Sequence, residues 1–150
     1  MSIVVLERLR QTYRHLRVSA PDRVPPEVPS FARSIVDAMS PSDRRHALVT
    51  YAALRDAGAD EELALAGLLH DMGKPRDALL VHRVAAVLSP RLAARLGRTA
   101  RDYVAHPERG AARARELGLS DRVVRVIARH HRAPSNDDER RLRDAERVDA

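Results

Sequence analysis

The sequence lacks cysteine and tryptophan, and its aromatic residues are limited to one phenylalanine and three tyrosines. Without cysteine the chain can form no disulfide bond, no thiolate metal site and no cysteine nucleophile. So few aromatic side chains offer little surface for stacking on bases, which disfavours a protein dedicated to single-stranded nucleic acid. The chain also has no apolar run of the roughly 18–20 residues that a membrane helix needs, so we expect no membrane partner.

Lysine is almost absent as well, because Lys74 is the only one among 27 lysine and arginine residues. The formal net charge is +6, and a basic surface can attract anions such as nucleotides or nucleic acid. The arginines are, however, interleaved with acidic residues, as in RRLRDAERVD, and form no basic block. We therefore do not expect nucleic acid to be the main partner. The start MSIVVLERLR becomes charged too early for a signal peptide, which predicts a cytoplasmic protein.

Apolar residues recur at helical spacing along nearly the whole chain, and no alternating strand pattern or Asn-Gly or Asp-Gly hairpin signal interrupts them. A length of 150 residues suits a single domain with one core. We predict an all-α, compact, single-domain bundle of about seven or eight helices. Its main part covers about residues 40–150, and residues 1–39 form an N-terminal helical extension.

Capping residues, prolines and glycines predict where the helices begin and end. Ser40-Pro41 and Ser120 are typical helix starts, and Gly58 and Gly118 are typical ends. Helices are predicted at about residues 1–18, 31–39, 41–58, 60–72, 107–118, 120–133 and 136–150. Residues 19–30 hold four of the nine prolines and are predicted to form a loop. Residues 78–88 are apolar at helical spacing, and Ser89-Pro90 begins a further short segment that ends near residue 97.

Two of the apolar segments end in residues that can bind a metal ion. His70 and Asp71 end LALAGLLHD, which is so apolar that it must be buried. A buried carboxylate needs a compensating charge, and a metal ion next to Asp71 would supply it. His130 and His131 end DRVVRVIARHH, and both rings are predicted to face the core side of that helix. Of the other histidines, at positions 15, 46, 82 and 106, His82 is predicted to be a core or surface residue and not a ligand.

The order of these residues resembles that in the HD superfamily of metal-dependent phosphohydrolases. HDMGK, at residues 70–74, is similar to the HDxGK signature of that family, and His46 lies upstream of it. The segment HPERG, which begins at His106, and the pair His130-His131 resemble the extra histidines of its two-metal members. The resemblance covers about residues 40–150. It implies an all-helical fold in which ligands from separate helices converge.

By this resemblance, two divalent cations share one carboxylate. It implies that the first ion is bound by His46, His70, Asp71 and a C-terminal carboxylate. It implies that the second ion is bound by Asp71, His106, His130 and His131. Ligation rich in imidazole suits Mn, Fe, Ni, Co or Zn better than Mg alone. The sequence does not choose among these metals.

The last ligand of the first ion is where the sequence departs from the family. Many relatives have an aspartate in an Ala-Asp-x-x-Asp-Ala segment, whereas AERVDA places Glu146 at that position. A glutamate can bind the same cation, but its extra methylene moves the carboxylate by about a bond length. Asp149 and, as a weaker alternative, Asp144 stay open as replacements for Glu146.

The resemblance implies an enzyme that hydrolyses a phosphomonoester or phosphodiester, with a small nucleotide-like substrate and metal-activated hydroxide as the attacking group. Asp71 and Lys74 are the predicted catalytic residues. Lys74 follows Asp71 by three residues, and its compact ammonium group could contact a phosphate oxygen. Two alternatives stay open: a di-iron oxygenase of the HD type, and a non-catalytic metal-binding sensor or partner-binding domain if Glu146 disrupts the first metal position. Neither the substrate nor the oligomeric state can be predicted from the sequence.

Overall fold

The computed structural model describes residues 23–149, which form a bundle of nine α-helices and no β-strand. The helices are α1 (Ser30–Asp37), α2 (Pro41–Asp56), α3 (Glu61–Leu69), α4 (Leu80–Leu88), α5 (Pro90–Arg95), α6 (Arg98–Val104), α7 (His106–Glu116), α8 (Asp121–Arg129) and α9 (Asp137–Glu146), and a 3-10 turn (Arg147–Asp149) follows. The predicted all-α fold is confirmed. The helix predicted at residues 1–18 lies outside the described residues. No helix within residues 23–149 combines the length and the apolar character needed to span a membrane.

Short polar side chains begin the helices that carry the candidate site. Ser40 precedes α2, Asp60 precedes α3 and Ser120 precedes α8. Each side chain accepts a hydrogen bond from the backbone N–H three residues later. The cap satisfies one of the N–H groups that the first turn of a helix leaves unpaired. These helix starts therefore lie where the sequence predicts them.

The main core lies between α1, α2, α3, α7, α8 and α9. Helix α3 is its centre, because Leu63, Leu68 and Leu69 are all fully buried and α3 packs on both α2 and α8. Helix α7 packs on α8, and α9 packs on α2. Since α3 is surrounded by other helices and ends at Leu69, the next two residues emerge in the middle of the bundle. Those residues are His70 and Asp71.

Helices α4, α5 and α6 form a smaller unit around three buried alanines, Ala85, Ala93 and Ala100. Helix α4 packs on α5 and α6, and α6 packs on α7. The sequence analysis did not predict α6. Its segment RTARDYV is short and has little apolar periodicity. The helix is therefore stabilised by packing against its neighbours and not by its own local sequence.

Candidate metal centre

The seven residues that the family resemblance indicates as ligands lie together in the bundle. They come from the middle of α2, the end of α3, the junction of α6 and α7, the end of α8 and the last residue of α9. Three overlapping groups have ligand atoms within 4.8 Å of one another: His46, His70 and Glu146; His70, Asp71 and His130; and His106, His130 and His131. The cluster thus has a first outer group, formed by His46, His70 and Glu146, and a second outer group, formed by His106, His130 and His131. The two groups meet around Asp71.

Three of the histidines are oriented by the same backbone contact. His70, His106 and His130 each follow the last turn of a helix, and the Nδ1 of each ring lies 2.6–2.7 Å from the carbonyl oxygen three residues earlier. Because a carbonyl oxygen can only accept, Nδ1 carries the proton and donates. The opposite nitrogen, Nε2, therefore faces the other members of the cluster. Metal-binding histidines are commonly held in this way.

Asp71 lies between the two outer groups, with one carboxylate oxygen toward each. Its Oδ1 is 3.2 Å from His106 Nε2 and 3.6 Å from His130 Nε2. Its Oδ2 is 3.4 Å from His70 Nε2 and 2.5 Å from Lys74 Nζ. Burial alone would raise the pKa of Asp71, but Lys74 and His70 hold it well below its usual range. The carboxylate is therefore ionised, and it has one oxygen facing each of the two outer groups.

The second outer group brings nitrogen atoms unusually close together. His106 Nε2 lies 3.2 Å from His130 Nε2 and 3.1 Å from His131 Nε2. Burial lowers the pKa of His106, although Asp71 opposes this, so the ring is neutral. Since Nδ1 holds its proton, Nε2 of His106 presents a lone pair. Nδ1 of His130 also donates to a carbonyl oxygen, so the lone pair of His106 Nε2 faces His130 Nε2 at 3.2 Å, and a cation between the two nitrogens would bind both.

In the first outer group the buried imidazole of His70 lies between two carboxylates, Glu146 of the same group and the neighbouring Asp71. Glu146 Oε1 lies 3.3 Å from His70 Nε2, and the His46 ring centre lies 5.1 Å from that of His70. Burial alone would lower the pKa of His70, but Asp71 and Glu146 raise it to about 10. The surroundings of His70 Nε2 therefore stabilise a positive charge, which a proton or a divalent cation can supply.

Two buried atoms of the cluster have no hydrogen-bond partner among residues 23–149, namely His70 Nε2 and Asp71 Oδ1. An unsatisfied buried polar group costs roughly 1–3 kcal/mol, and folded proteins leave few of them. A divalent transition-metal ion accepts imidazole nitrogen and carboxylate oxygen as ligands, so it would satisfy both atoms. The residues present therefore fit a metal centre, while the assignment of each as a ligand stays a prediction.

His131 differs from the other histidines of the cluster. The sequence predicts that both rings at the end of α8 face the core, but only His130 is buried and His131 is exposed. The His131 ring centre lies 4.1 Å from that of His130, and its Nε2 still reaches His106. The chain turns after α8, so the second ring covers the outer side of the cluster instead of packing in the core.

Glu146 reaches the cluster, whereas the alternative Asp144 does not. The Asp144 side chain is 64% exposed and lies 3.8 Å from Arg147 on the surface. The side chain of Asp149 lies outside the described part of the chain. Burial alone would raise the pKa of Glu146, but His70 lowers it, so the carboxylate is ionised. Of the acidic side chains described at this end of the chain, Glu146 is the one placed to bind a cation.

Gly73 lets the HDMGK segment lie directly on the start of α7. A Cβ atom at Gly73 would lie 2.1 Å from the carbonyl oxygen of His106 and 2.5 Å from the backbone nitrogen of Gly110. Both neighbours are backbone atoms that cannot move independently of α7, so any side chain at Gly73 would push the two segments apart. This close approach holds the HDMGK segment, which contains Asp71, against the backbone of His106.

Lys74 is held by two carboxylates. Its Nζ lies 2.5 Å from Asp71 Oδ2 and 3.2 Å from Asp43 Oδ1. Burial alone would lower the pKa of Lys74, but Asp71, Tyr103 and Asp43 raise it above its usual range. The side chain is therefore an ammonium group at the edge of the cluster. The predicted contact of Lys74 with a phosphate oxygen would have to form from this position.

Two buried residues near Lys74 were missed in the sequence analysis. Asp43 accepts two hydrogen bonds from Arg83, at 3.1 and 2.8 Å, and both residues are buried. Asp43 has the appearance of an ordinary acidic residue in the first turn of a helix. A role for Arg83 could have been predicted from the sequence, because Arg83 interrupts the apolar segment ALLVHRVAAVL and needs a charged partner if it is buried.

The other two histidines lie outside the cluster or outside the described residues. His82 Nδ1 accepts a hydrogen bond from the backbone N–H of Leu79 at 3.1 Å, at the start of α4. His15 lies outside the described residues. His82 thus contributes to the start of a helix and not to the candidate metal centre.

Comparison with known proteins gives one match. A family model described as HD domain matches residues 44–150, which is more than two thirds of the chain and includes all seven candidate ligands. No curated protein and no solved structure matches the chain significantly. The match, the all-helical bundle and the HDMGK segment at its centre agree with one another. The chain belongs to the HD domain family, the superfamily of metal-dependent phosphohydrolases.

Proposed function

We propose that this protein hydrolyses a phosphomonoester or phosphodiester of a small, nucleotide-like molecule at a site that binds two divalent cations. The observation that carries the proposal is that two buried atoms, His70 Nε2 and Asp71 Oδ1, have no hydrogen-bond partner among residues 23–149. They lie next to the Nε2 atoms of His106 and His130, which are 3.2 Å apart and whose rings both donate from Nδ1 to backbone carbonyl oxygens. A pure packing role for these side chains would leave that polarity uncompensated.

The two outer groups divide the ligands between the ions. His46, His70 and Glu146 would hold one ion, His106, His130 and His131 would hold the other, and Asp71 would contact both. When bound, divalent cations supply the Lewis acidity that lowers the pKa of a coordinated water and offsets negative charge on phosphate oxygens.

The charges of the ligands favour an anionic substrate. Five of the seven candidate ligands are histidines, which are neutral when they bind a metal, and only Asp71 and Glu146 are acidic. Two carboxylates balance half the charge of two divalent ions, so the loaded centre is positively charged. Lys74 adds a further positive charge beside Asp71. A phosphate ester is attracted to such a centre, and Lys74 would contact one of its oxygens.

The test uses the full chain purified without chelator. We expect elemental analysis to find about two transition-metal ions per chain, the number that the two-metal mechanism needs. We also expect phosphate or alcohol release from a panel of p-nitrophenyl phosphate, bis-p-nitrophenyl phosphate and nucleotides with added Mn²⁺. Asp71→Ala should lose both the metal and the activity. The matched control is Asp144→Asn, at an exposed carboxylate two residues from Glu146, which should keep both.

Two outcomes would replace the proposal with another function. Consumption of substrate that depends on oxygen and releases no phosphate would indicate a di-iron oxygenase. Less than one ion per chain, together with no turnover under added Mn²⁺, would indicate a non-catalytic sensor or partner-binding domain.

A further inference from the structure

Four side chains of alternating charge connect the candidate metal centre with α4. Asp71 Oδ2 contacts Lys74 Nζ at 2.5 Å, and Lys74 Nζ contacts Asp43 Oδ1 at 3.2 Å. Asp43 in turn receives both terminal nitrogens of Arg83, at 3.1 and 2.8 Å. These residues come from α2, α4 and the loop after α3, so no local sequence pattern brings them together. Lys74 is the member that both carboxylates share.

Asp43 is fixed far more firmly than Lys74. The two parallel hydrogen bonds from Arg83 hold its carboxylate in one plane. Ser40 Oγ donates a further hydrogen bond to Asp43 Oδ2 at 2.5 Å. Burial alone would raise the pKa of Asp43, but Lys74 and Arg83 hold it well below its usual range. Asp43 is therefore a permanent negative charge that cannot follow Lys74 if the lysine moves.

The unit formed by α4, α5 and α6 contributes two residues, Arg83 and Tyr103, to the surroundings of Asp43 and Lys74. Arg83 lies on α4, and its guanidinium carbon is 5.5 Å from the centre of the Tyr103 ring on α6. Lys74 Nζ lies 5.7 Å from the same ring. Both cations thus lie beside one aromatic ring, which stabilises positive charge there. The smaller helical unit contributes to the surroundings of Lys74 through two separate residues.

Lys74 and a bound cation compete for the same oxygen. Asp71 Oδ2 faces both Lys74 Nζ and His70 Nε2, the latter at 3.4 Å. A divalent ion bound between Asp71 and His70 would repel an ammonium group at hydrogen-bond distance from the same oxygen. Lys74 then needs another partner. Asp43 is already within 3.2 Å of Lys74.

We propose that Asp43 and Arg83 are positioning residues that keep the Lys74 ammonium group in the site when Asp71 binds a cation. Asp43 takes over the contact, and Arg83 keeps Asp43 in place. This weakens the competition between Lys74 and the metal, and it leaves Lys74 where a phosphate oxygen can reach it. The inference rests on the proposed metal centre.

The test is a double-mutant cycle. The Kd for Mn²⁺ of each variant is measured by calorimetry on chelator-treated protein. Asp43→Asn combined with Arg83→Gln removes both charges together, so neither buried partner is left uncompensated. Lys74 then pairs with Asp71 alone, and we expect the Kd for Mn²⁺ to rise roughly fivefold or more. In protein that also carries Lys74→Met, the competitor is absent. The same double change should then alter the Kd by less than about twofold.

Two further variants control for general damage. Arg122 and Asp138 form a similar two-bond pair between α8 and α9, away from Lys74. Arg122→Gln combined with Asp138→Asn should lower the Tm and leave the Kd for Mn²⁺ unchanged. Arg83→Lys keeps the charge but loses the two parallel bonds, so a smaller rise in the Kd is expected. The Kd of Arg83→Lys also tests the inference if the double variant at Asp43 and Arg83 does not fold.

The cycle separates this inference from the proposed function. An equal rise in the Kd with and without Lys74 would overturn the inference, because Asp43 would then act through α2 and His46. No rise in any of the variants at Asp43 and Arg83 would also overturn it. Wild-type protein that binds no Mn²⁺ would instead overturn the proposed metal centre, and with it this inference.

Discussion

The Nε2 atom of His70 and the Oε1 atom of Glu146 lie 3.3 Å apart, so the end of α3 meets the last residue of α9 inside the candidate metal centre. Helix α9 packs on α2 and α3, and this packing carries the Glu146 carboxylate to both His46 and His70. The C-terminal helix is thus part of the site and not only of the fold. The length of the Glu146 side chain decides whether its carboxylate reaches a cation there.

Glu146→Asp tests this dependence on length. Removing one methylene withdraws the carboxylate by about 1.5 Å, whereas metal–carboxylate bonds are about 2.0–2.2 Å long. We expect the metal content to fall from about two ions per chain to about one, because the group formed by His106, His130 and His131 stays intact. Elemental analysis of chelator-free protein measures this change.

The control for Glu146→Asp is Asp144→Asn. Asp144 lies two residues before Glu146 on the same helix, but it is exposed and forms its ion pair with the surface residue Arg147. Its metal content should equal that of the wild type. A full complement of metal in Glu146→Asp, with loss in Asp144→Asn, would show that the wrong carboxylate has been assigned to the first ion.

Gly73→Ala should disturb both stability and metal binding. The new Cβ would meet the backbone of His106 and Gly110 at 2.1 and 2.5 Å, well inside normal contact distance. Overpacked sites usually cost about 1–3 kcal/mol, and backbone neighbours leave little room for relief. We expect the free energy of unfolding of the metal-free protein to fall by about 3 kcal/mol, measured in urea. The metal content should also fall, because Asp71 and His106 are pushed apart.

Gly118→Ala is the matched control for Gly73→Ala. Gly118 has a φ of +71°, and a Cβ there would meet no atom within 4 Å. The substitution should cost only about 1–2 kcal/mol of backbone strain and leave the metal content unchanged. If Gly73→Ala behaves in the same way, the close approach of the HDMGK segment to α7 does not set the geometry of the site.

Much of the fold and of the candidate site could be predicted from the sequence because the signals were local. Ser40, Asp60 and Ser120 accept hydrogen bonds from their own helices, so the starts of α2, α3 and α8 are visible in a few residues. The segment LALAGLLHD is so apolar that it had to be central. His70 and Asp71 therefore had to emerge inside the bundle, and the HDMGK motif indicated the HD family.

The parts that the sequence did not predict depend on contacts between distant segments. Asp43 and Arg83 are ordinary charged residues until α2 and α4 bring them together. The exposure of His131 depends on where the chain turns after α8, which periodicity alone does not define. Helix α6 has almost no apolar pattern and is stabilised by α4, α5 and α7. In each case tertiary packing, and not local preference, determines the result.

Metal ions should stabilise the fold, because the metal-free protein leaves His70 Nε2 and Asp71 Oδ1 without a hydrogen-bond partner among residues 23–149 and holds the Nε2 atoms of His106 and His130 3.2 Å apart. A ligand that binds only the folded state adds about 2.7 kcal/mol of stability at one hundred times its Kd. For a chain of this size that corresponds to a rise in Tm of roughly 5–10 °C. Differential scanning fluorimetry of chelator-treated protein with and without Mn²⁺ measures it. Asp71→Ala should show almost no rise, and an equal rise in that variant would place the ion elsewhere.

Arg122 should stabilise the bundle in a way that depends on pH. Its Nε and one terminal nitrogen each lie 2.8 Å from Asp138, and its other terminal nitrogen lies 2.7 Å from Asp60. The pKa of Asp138 is lowered from its usual 3.8 mainly by Arg122, and the pKa of Asp60 is lowered by the backbone N–H of Leu63 and then by Arg122. This contribution is therefore fully present above pH 3.8 and is lost as the pH falls through the lowered values.

Arg122→Gln should accordingly lower the free energy of unfolding at pH 7 by about 1 kcal/mol, a typical value for partly exposed ion pairs in a network. The difference from wild type should shrink as the pH falls below 4, because both aspartates become protonated first in the unfolded chain and, at lower pH, in the folded one. Urea unfolding of metal-free protein at several pH values measures it. Arg140→Gln, which removes an exposed pair with Asp137 at 2.9 Å, should change stability little at any pH. A difference for Arg122→Gln that is as large at pH 3 as at pH 7 would mean that Arg122 stabilises the bundle through packing of its side chain and not through its charge.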